Sequence, residues 1–347
     1  MLDLLRPVVV APMAGGPSTP ELVDAADRAG AFGFLAAGYK TPEAVEAEIR
    51  ATSSPYGLNL FVPMPPLADP GAVERYREVL RPEADRYEVE LPPVRLTDDD
   101  HFAAKVELAV THRVPLVSFT FGVPPRDVVR ALRAAGSAVL ITVTSGDEAR
   151  QALTVEPDGL IAQGGGAGGH SSTFSPAAYR GDRSAADVLA EVRAVTDRPV
   201  VAAGGSTPAL LAAGAVAVQS GTAFLLADEA GTRPAQRAVM LLGGSLSGGS
   251  LSGGSLSGKS LSAGSRQTVV TRAFTGQPAR ALRNRFVDTY SPLAPVGYPA
   301  IHHLTAPIRA AAAARDDASA LNLWAGVGHA AARPGPVAAL IDALNDR

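Results

Sequence analysis

The chain has 347 residues with 31 basic and 34 acidic side chains, so it carries no surplus of positive charge to track a phosphate backbone, and nucleic acid is not expected as a partner. An apolar content of 46% over this length supports a large core, and the absence of cysteine excludes disulfides, thiolate metal sites and thiol catalysis. No apolar run approaches the ~20 residues that cross a bilayer, and the start around Asp3 and Arg6 lacks the basic and apolar regions of a secretory signal, so a cytoplasmic protein without a membrane or metal is expected.

Short, β-branched apolar runs recur along the chain: 8–10, 32–36, 56–62, 115–121, 138–144, 159–163, 199–203 and 215–219. They do not alternate with polar residues, as suits strands covered on both faces in a parallel sheet. Helix signals lie between them. Ser18-Thr19-Pro20-Glu21 and Thr41-Pro42-Glu43 offer a capping hydroxyl followed by proline in the first turn, and Gly30 closes the first helix. Eight such units predict an α/β fold, a (β/α)8 TIM barrel, with a doubly wound open sheet as the alternative.

Three segments stand outside this repeat. Residues 64–114 are longer than one barrel helix requires. Residues 243–265 are tandem Gly-Gly-Ser-Leu-Ser, with little apolar surface to offset the entropy of ordering, and read as a surface loop whose replacement by a short linker leaves cofactor binding intact. From residue 266 the tail reads as a small, mostly helical C-terminal cap, either over the barrel mouth or against its outside, with Pro307 opening a helix over 308–315. The domain expectation is therefore a barrel over 1–242, a low-complexity loop over 243–265 and a cap over 266–347.

A barrel carries its site at the carboxyl ends of its strands. After the first strand, Ala11-Pro12-Met13-Ala14-Gly15-Gly16 lets a flat ligand approach the backbone. On the third, Asn59 offers a donor and an acceptor that either ligand or backbone must satisfy. After the sixth comes Gln163-Gly164-Gly165-Gly166-Ala167-Gly168-Gly169-His170, whose glycines are costly to order and are explained by close approach of backbone to a ligand, with His170 at the end of a mobile loop where an imidazole exchanges protons near neutral pH. After the seventh and eighth strands, Gly204-Gly205-Ser206 and Gln219-Ser220-Gly221-Thr222 occupy the usual phosphate pocket of this fold. The Gly258-Lys259-Ser260 triplet lies inside the repeat and is not a Walker loop.

Taken in order, these pieces resemble the FMN-dependent nitronate monooxygenases, and Thr271 to Gly276, Leu282 to Phe286 and Leu323 to Gly326 extend the likeness through the tail. The resemblance implies FMN held at Asn59, Gln163, Gly168, Gly205 and Gln219 to Thr222, with His170 beside the flavin ring as base or anion-binding group. It also implies oxidation of alkyl nitronates, and of nitroalkanes in some members, by O2 to a carbonyl compound and nitrite, in a monomer or homodimer. Two departures concern the substrate pocket: Gly166 and Ser171 stand where the family commonly has Glu and Arg. The same architecture serves flavin-dependent enoyl-acyl-carrier-protein reductases, which use a reduced nicotinamide. A non-redox phosphate-binding isomerase or aldolase is the third reading, weakened by the lack of a suitably placed catalytic acid or lysine.

Overall fold

A computed structural model describes residues 2–244 and 267–345, so the expectation for the repeat falls almost wholly outside the described residues. Eight parallel strands close into a barrel: β1 (Val8–Val10), β2 (Phe32–Ala36), β3 (Tyr56–Phe61), β4 (Leu116–Thr120), β5 (Ala138–Val143), β6 (Gly159–Gln163), β8 (Val200–Ala203) and β9 (Ala217–Ser220). The closing pair is β1 with β9, in the register Val8 to Val218 and Val10 to Ser220. Along β2, Phe32 and Phe34 join a cluster with Val9, Leu116, Leu140, Ile161 and Val201 that fills the barrel, while Leu35 packs outward with Leu58, Phe119 and Ile141 beneath the helices. Burial on both sides explains why the sequence shows no alternation. Gly57 supplies room inside: a Cβ there would lie 2.3 Å from the Phe34 ring.

The helix signals act as expected. Thr19 and Thr41 accept from Leu22 N and Ala44 N at 3.0 and 3.3 Å, each with proline in the first turn. Pro307 does not start a helix but lies inside the one from Ala300–Ala314, where buried Ile301, Leu304 and Ile308 hold the turn together despite the missing N–H.

A second sheet was not legible in advance. It consists of β7 (Gly169–His170), β11 (Ala279–Leu282) and β10 (Thr268–Thr271), antiparallel in the order β10-β11-β7. Ala279 pairs with His170 and Arg280 with Gly169, so the tail stitches the end of the glycine segment into a sheet. The long segment after β3 forms helices Pro70–Val79, Arg81–Tyr87 and Phe102–Thr111. The last covers the barrel, whereas Val73, Tyr76, Leu80 and Tyr87 share a separate core with Phe274, Phe286, Ile301, Leu304 and Leu323 from the tail. This core roofs the strand ends. The final helix, Val337–Asn345, instead lies on the barrel's outside with Val8, Leu22 and Ala26. The tail therefore occupies both places weighed from the sequence.

Candidate active site

One cavity of about 540 Å³ at the carboxyl ends of the strands is lined by Ala11, Pro12, Met13, Asn59, Gln163, Gly168, His170, Gly204, Gly205, Gln219, Ser220, Gly221 and Thr222, whereas Gly16, Gly164, Gly165 and Ser171 do not line it. The tail closes it with Asn322, Trp324 and Gly326. Among the described residues no carboxylate lines the cavity, and two guanidiniums, Arg233 and Arg333, do.

Several of these side chains are used by the protein itself. Asn59 donates to Ser118 Oγ at 2.9 Å and Thr120 Oγ1 at 3.0 Å, so neighbouring side chains more than backbone satisfy its amide. Gln163 donates to the His170 carbonyl at 3.0 Å and accepts from Ser172 N at 2.7 Å, clamping both sides of the turn that presents His170. Thr222 Oγ1 accepts from Gly326 N at 2.9 Å and ties the tail to the loop after β9. At the first loop, Ala11 N donates to Ser220 O at 2.9 Å and Met13 N to Ser18 Oγ at 2.9 Å, holding these small residues along the cavity wall.

The glycine segment has a packing cause beyond the one expected. A Cβ at Gly164 would lie 2.4 Å from Ala185 N, at Gly165 2.3 Å from Gly181 O, and at Gly168 2.5 Å from Gly326 N. Protein backbone makes these close approaches, while Gly166, Gly168 and Gly169 also line the cavity. Gly166 belongs to the same packing, since a Cβ would meet Gly204 O at 2.9 Å and Val327 at 3.1 Å, which accounts for the missing glutamate. Arg280 fixes the segment by donating to Gly165 O at 2.6 Å and Gly181 O at 3.0 Å.

His170 is not on a mobile loop, and its imidazole does not titrate near neutrality. Its ring sits among Phe121, Trp324, Tyr298 and Tyr39, with centroids 5.2 to 6.3 Å away, and Nε2 lies 2.9 Å from Thr275 Oγ1. Burial, aided by the charge of Arg309, pushes its pKa down from 6.5 to about 3. The ring is therefore neutral at pH 7 and works through hydrogen bonding. Tyr39, Thr120, Thr142, Arg233 and Trp324 are cavity residues that the sequence reading passed over. The rule that strand ends carry the site would have found Thr120 and Tyr39, which end or follow strands.

Among the described residues, three buried polar atoms on the cavity lining have no protein hydrogen-bond partner: Tyr39 Oη on the aromatic side, and Gln219 Oε1 on β9 and Thr207 Oγ1 just after β8 on the other. Orphaned polar groups of this kind normally meet a ligand or water. Gln219 and Thr207 flank the loops after the last two barrel strands, where this fold holds phosphate, so the residues present fit a phosphorylated cofactor.

The family model for nitronate monooxygenase matches residues 1–245 and 256–346. The chain belongs to the nitronate monooxygenase family. A nitronate monooxygenase from Pseudomonas aeruginosa is 36% identical over 365 residues, covering 99% of this chain and 96% of that one. A probable nitronate monooxygenase from Staphylococcus saprophyticus is 34% identical over 341 residues, covering 94% and 90%. Among solved structures, a nitroalkane oxidase from Streptomyces ansochromogenes superposes with a TM-score of 0.88 at 42% identity, covering 99% of this chain and 96% of that one. FabK from Thermotoga maritima superposes at 0.68 with 23% identity, covering 99% and 94%, which shows a shared fold. Members of the nitronate monooxygenase family are FMN-dependent oxidoreductases, and the cavity has the size and the unpartnered polar atoms that FMN requires.

Proposed function

We propose that the protein is an FMN-dependent nitronate monooxygenase that oxidises alkyl nitronates with O2 to a carbonyl compound and nitrite. The observation that carries this reading is the arrangement of one carboxylate-free cavity: unpartnered Gln219 and Thr207 at its phosphate end, and a neutral His170 walled by aromatic rings at the other functional position. FMN, when bound, supplies the electron acceptor and the reaction with oxygen. The chain's own residues supply the rest. The loops after β8 and β9 hold the phosphate, Ala11 to Met13 offer small contacts to a flat ring, and Asn59 and Gln163 keep the strand ends in place.

His170 is a catalytic residue in this reading. Being neutral, it presents an N–H or a lone pair to the nitro group rather than an imidazolium. Phe121 and Tyr298, which do not line the cavity, and Trp324, which does, give the ring an apolar wall, and a low local polarity strengthens a hydrogen bond formed there. We read the enzyme as cytoplasmic, acting as a monomer or homodimer.

The test begins with purified protein. FMN released on denaturation, and nitrite formed from an alkyl nitronate in air, are the expected results. Rapid oxidation of NADH or NADPH without nitrite would replace the reading with a nicotinamide-dependent reductase. His170→Ala is expected to retain FMN and lose about a hundredfold or more in kcat/KM for the nitronate. Unchanged turnover removes His170 from the chemistry.

A further inference from the structure

Behind the aromatic wall lies a buried cation with no acidic partner among the described residues. Arg309 is 8% exposed, on the helix Ala300–Ala314, and it donates only to uncharged groups: Thr305 Oγ1 at 3.2 Å, the His302 carbonyl at 2.9 Å and His302 Nδ1 at 3.3 Å. Burial lowers its pKa to about 10, so it stays charged at pH 7. An unpaired buried charge is expensive, and folds keep one where something compensates it. The acids on this side already have partners: Asp100 binds Lys105 at 2.8 Å and Asp98 binds His303 at 2.8 Å. Two other guanidiniums line the cavity itself: Arg233 donates to Asn322 Oδ1 at 3.3 Å and adds to the positive field at Arg309, and the exposed Arg333 donates to the carbonyls of Ala330 and Ala332 at 2.7 and 2.9 Å.

The charge is coupled to the cavity wall. By donating to His302 Nδ1, Arg309 fixes that ring, which stacks face to face on Tyr39 at 4.1 Å and 5°. Tyr39 lines the cavity, and its ring lies 6.3 Å from His170. Its backbone is held in the left-handed region, φ 69°, by a bond from its N–H to Asp100 Oδ1 at 3.0 Å. No protein atom meets hydrogen-bond geometry with the buried Tyr39 hydroxyl, although the Tyr298 phenol is near enough to influence its ionisation. The stack therefore holds a neutral phenol and the field of a buried guanidinium beside His170.

We propose that Arg309, acting through the His302 and Tyr39 stack, is the positioning residue that makes the cavity select the nitronate anion over the neutral nitroalkane. The anion brought in by the substrate is the counter-charge the chain itself does not provide. The proposal rests on the nitronate reading and sharpens it, since one relative is a nitronate monooxygenase and another a nitroalkane oxidase.

The test uses the FMN holoenzyme. In Arg309→Gln, the ratio of kcat/KM for an alkyl nitronate to that for its parent nitroalkane is expected to fall about tenfold, mostly through KM for the nitronate, because a unit charge in a water-poor region contributes on this scale. Arg309→Lys restores most of the ratio. General damage to packing lowers both activities and leaves the ratio unchanged, which overturns the proposal. An independent reading is titration with nitrate, a planar and inert oxyanion, at constant ionic strength, followed by the flavin absorbance. Saturable binding to the wild type, weakened about tenfold in Arg309→Gln, is expected. Absence of nitrate binding to the wild type, or equal affinity in the variant, overturns it. If the glutamine variant does not fold, the wild type decides alone: nitrate must compete with the nitronate more strongly than the neutral nitroalkane does. If the wild type does not turn over nitronates, the functional reading fails while the nitrate titration still reports on the anion site.

Discussion

His170 shows how far a single side chain's role depends on its surroundings. The Gly-Gly-His pattern marks it, and the strand-end rule places it, but neither gives its protonation. That comes from rings and a guanidinium contributed by distant segments. The consequence for stability can be worked through. A histidine whose folded pKa is depressed to about 3 from 6.5 binds its proton more readily in the unfolded chain, so stability is complete above about pH 6.5 and declines as pH falls towards 3. His302 acts in the same direction, its pKa depressed first by burial and then by Arg309. The midpoint of thermal unfolding is therefore expected to drop on acidification from pH 7 to 5, and His170→Asn to blunt the drop. A profile equally steep in the variant would show that the ring is not held neutral by the fold.

Among the elements, the eight barrel strands were legible because a parallel, doubly covered strand writes itself locally as an apolar run; β1, β2 and β6 match to the residue. Strand β7 was not, because its two residues become a strand only through pairing with Ala279 and Arg280, more than a hundred positions away. The glycine segment was located from its cost in ordering, but a packing cause for it lay outside the local pattern. Gly165 and Gly168 are forced by Gly181 and Gly326, contacts that no local pattern reveals. Gly165→Ala is thus expected to cost about 1–3 kcal/mol by overpacking and to reduce the FMN retained on purification. Gly328→Ala, where a Cβ meets nothing within 4 Å, serves as the comparison and is expected to stay within about 0.5 kcal/mol. Equal stability in denaturant for the two variants would contradict this steric account. Glu148, on the helix Gly146–Leu153 that follows β5, anchors the residues just after this segment: its carboxylate accepts from Thr144 N and Thr144 Oγ1 at 2.6 and 2.9 Å, and from Thr173 Oγ1 and Phe174 N at 2.7 Å each.

On the scale of the whole molecule, the roof of the cavity is assembled from two stretches separated by the barrel itself. The sequence disclosed each as an excess over the repeat, but not that they pack together, since their shared surface involves contacts across some two hundred positions. Glu83, from the helix Arg81–Tyr87, joins them: 2% exposed, it receives both terminal nitrogens of Arg285 and the Tyr290 hydroxyl at 3.2 Å. Replacing it by glutamine leaves a guanidinium facing a neutral amide in the middle of the roof. Because Arg285 retains some solvent, the cost is set below that of a fully buried pair, at about 2–3 kcal/mol. That corresponds to a fall of roughly 3–4 °C in the midpoint of thermal unfolding for a chain of this length. The same roof supplies Trp324 and Gly326 to the cavity, so FMN should also bind less tightly to Glu83→Gln than to the wild type, although Glu83 does not line the site. Titration of the apoprotein with FMN measures this directly. A variant with a lower midpoint but unaltered FMN affinity would mean that the barrel loops hold the cofactor unaided, and that the roof governs access to substrate alone.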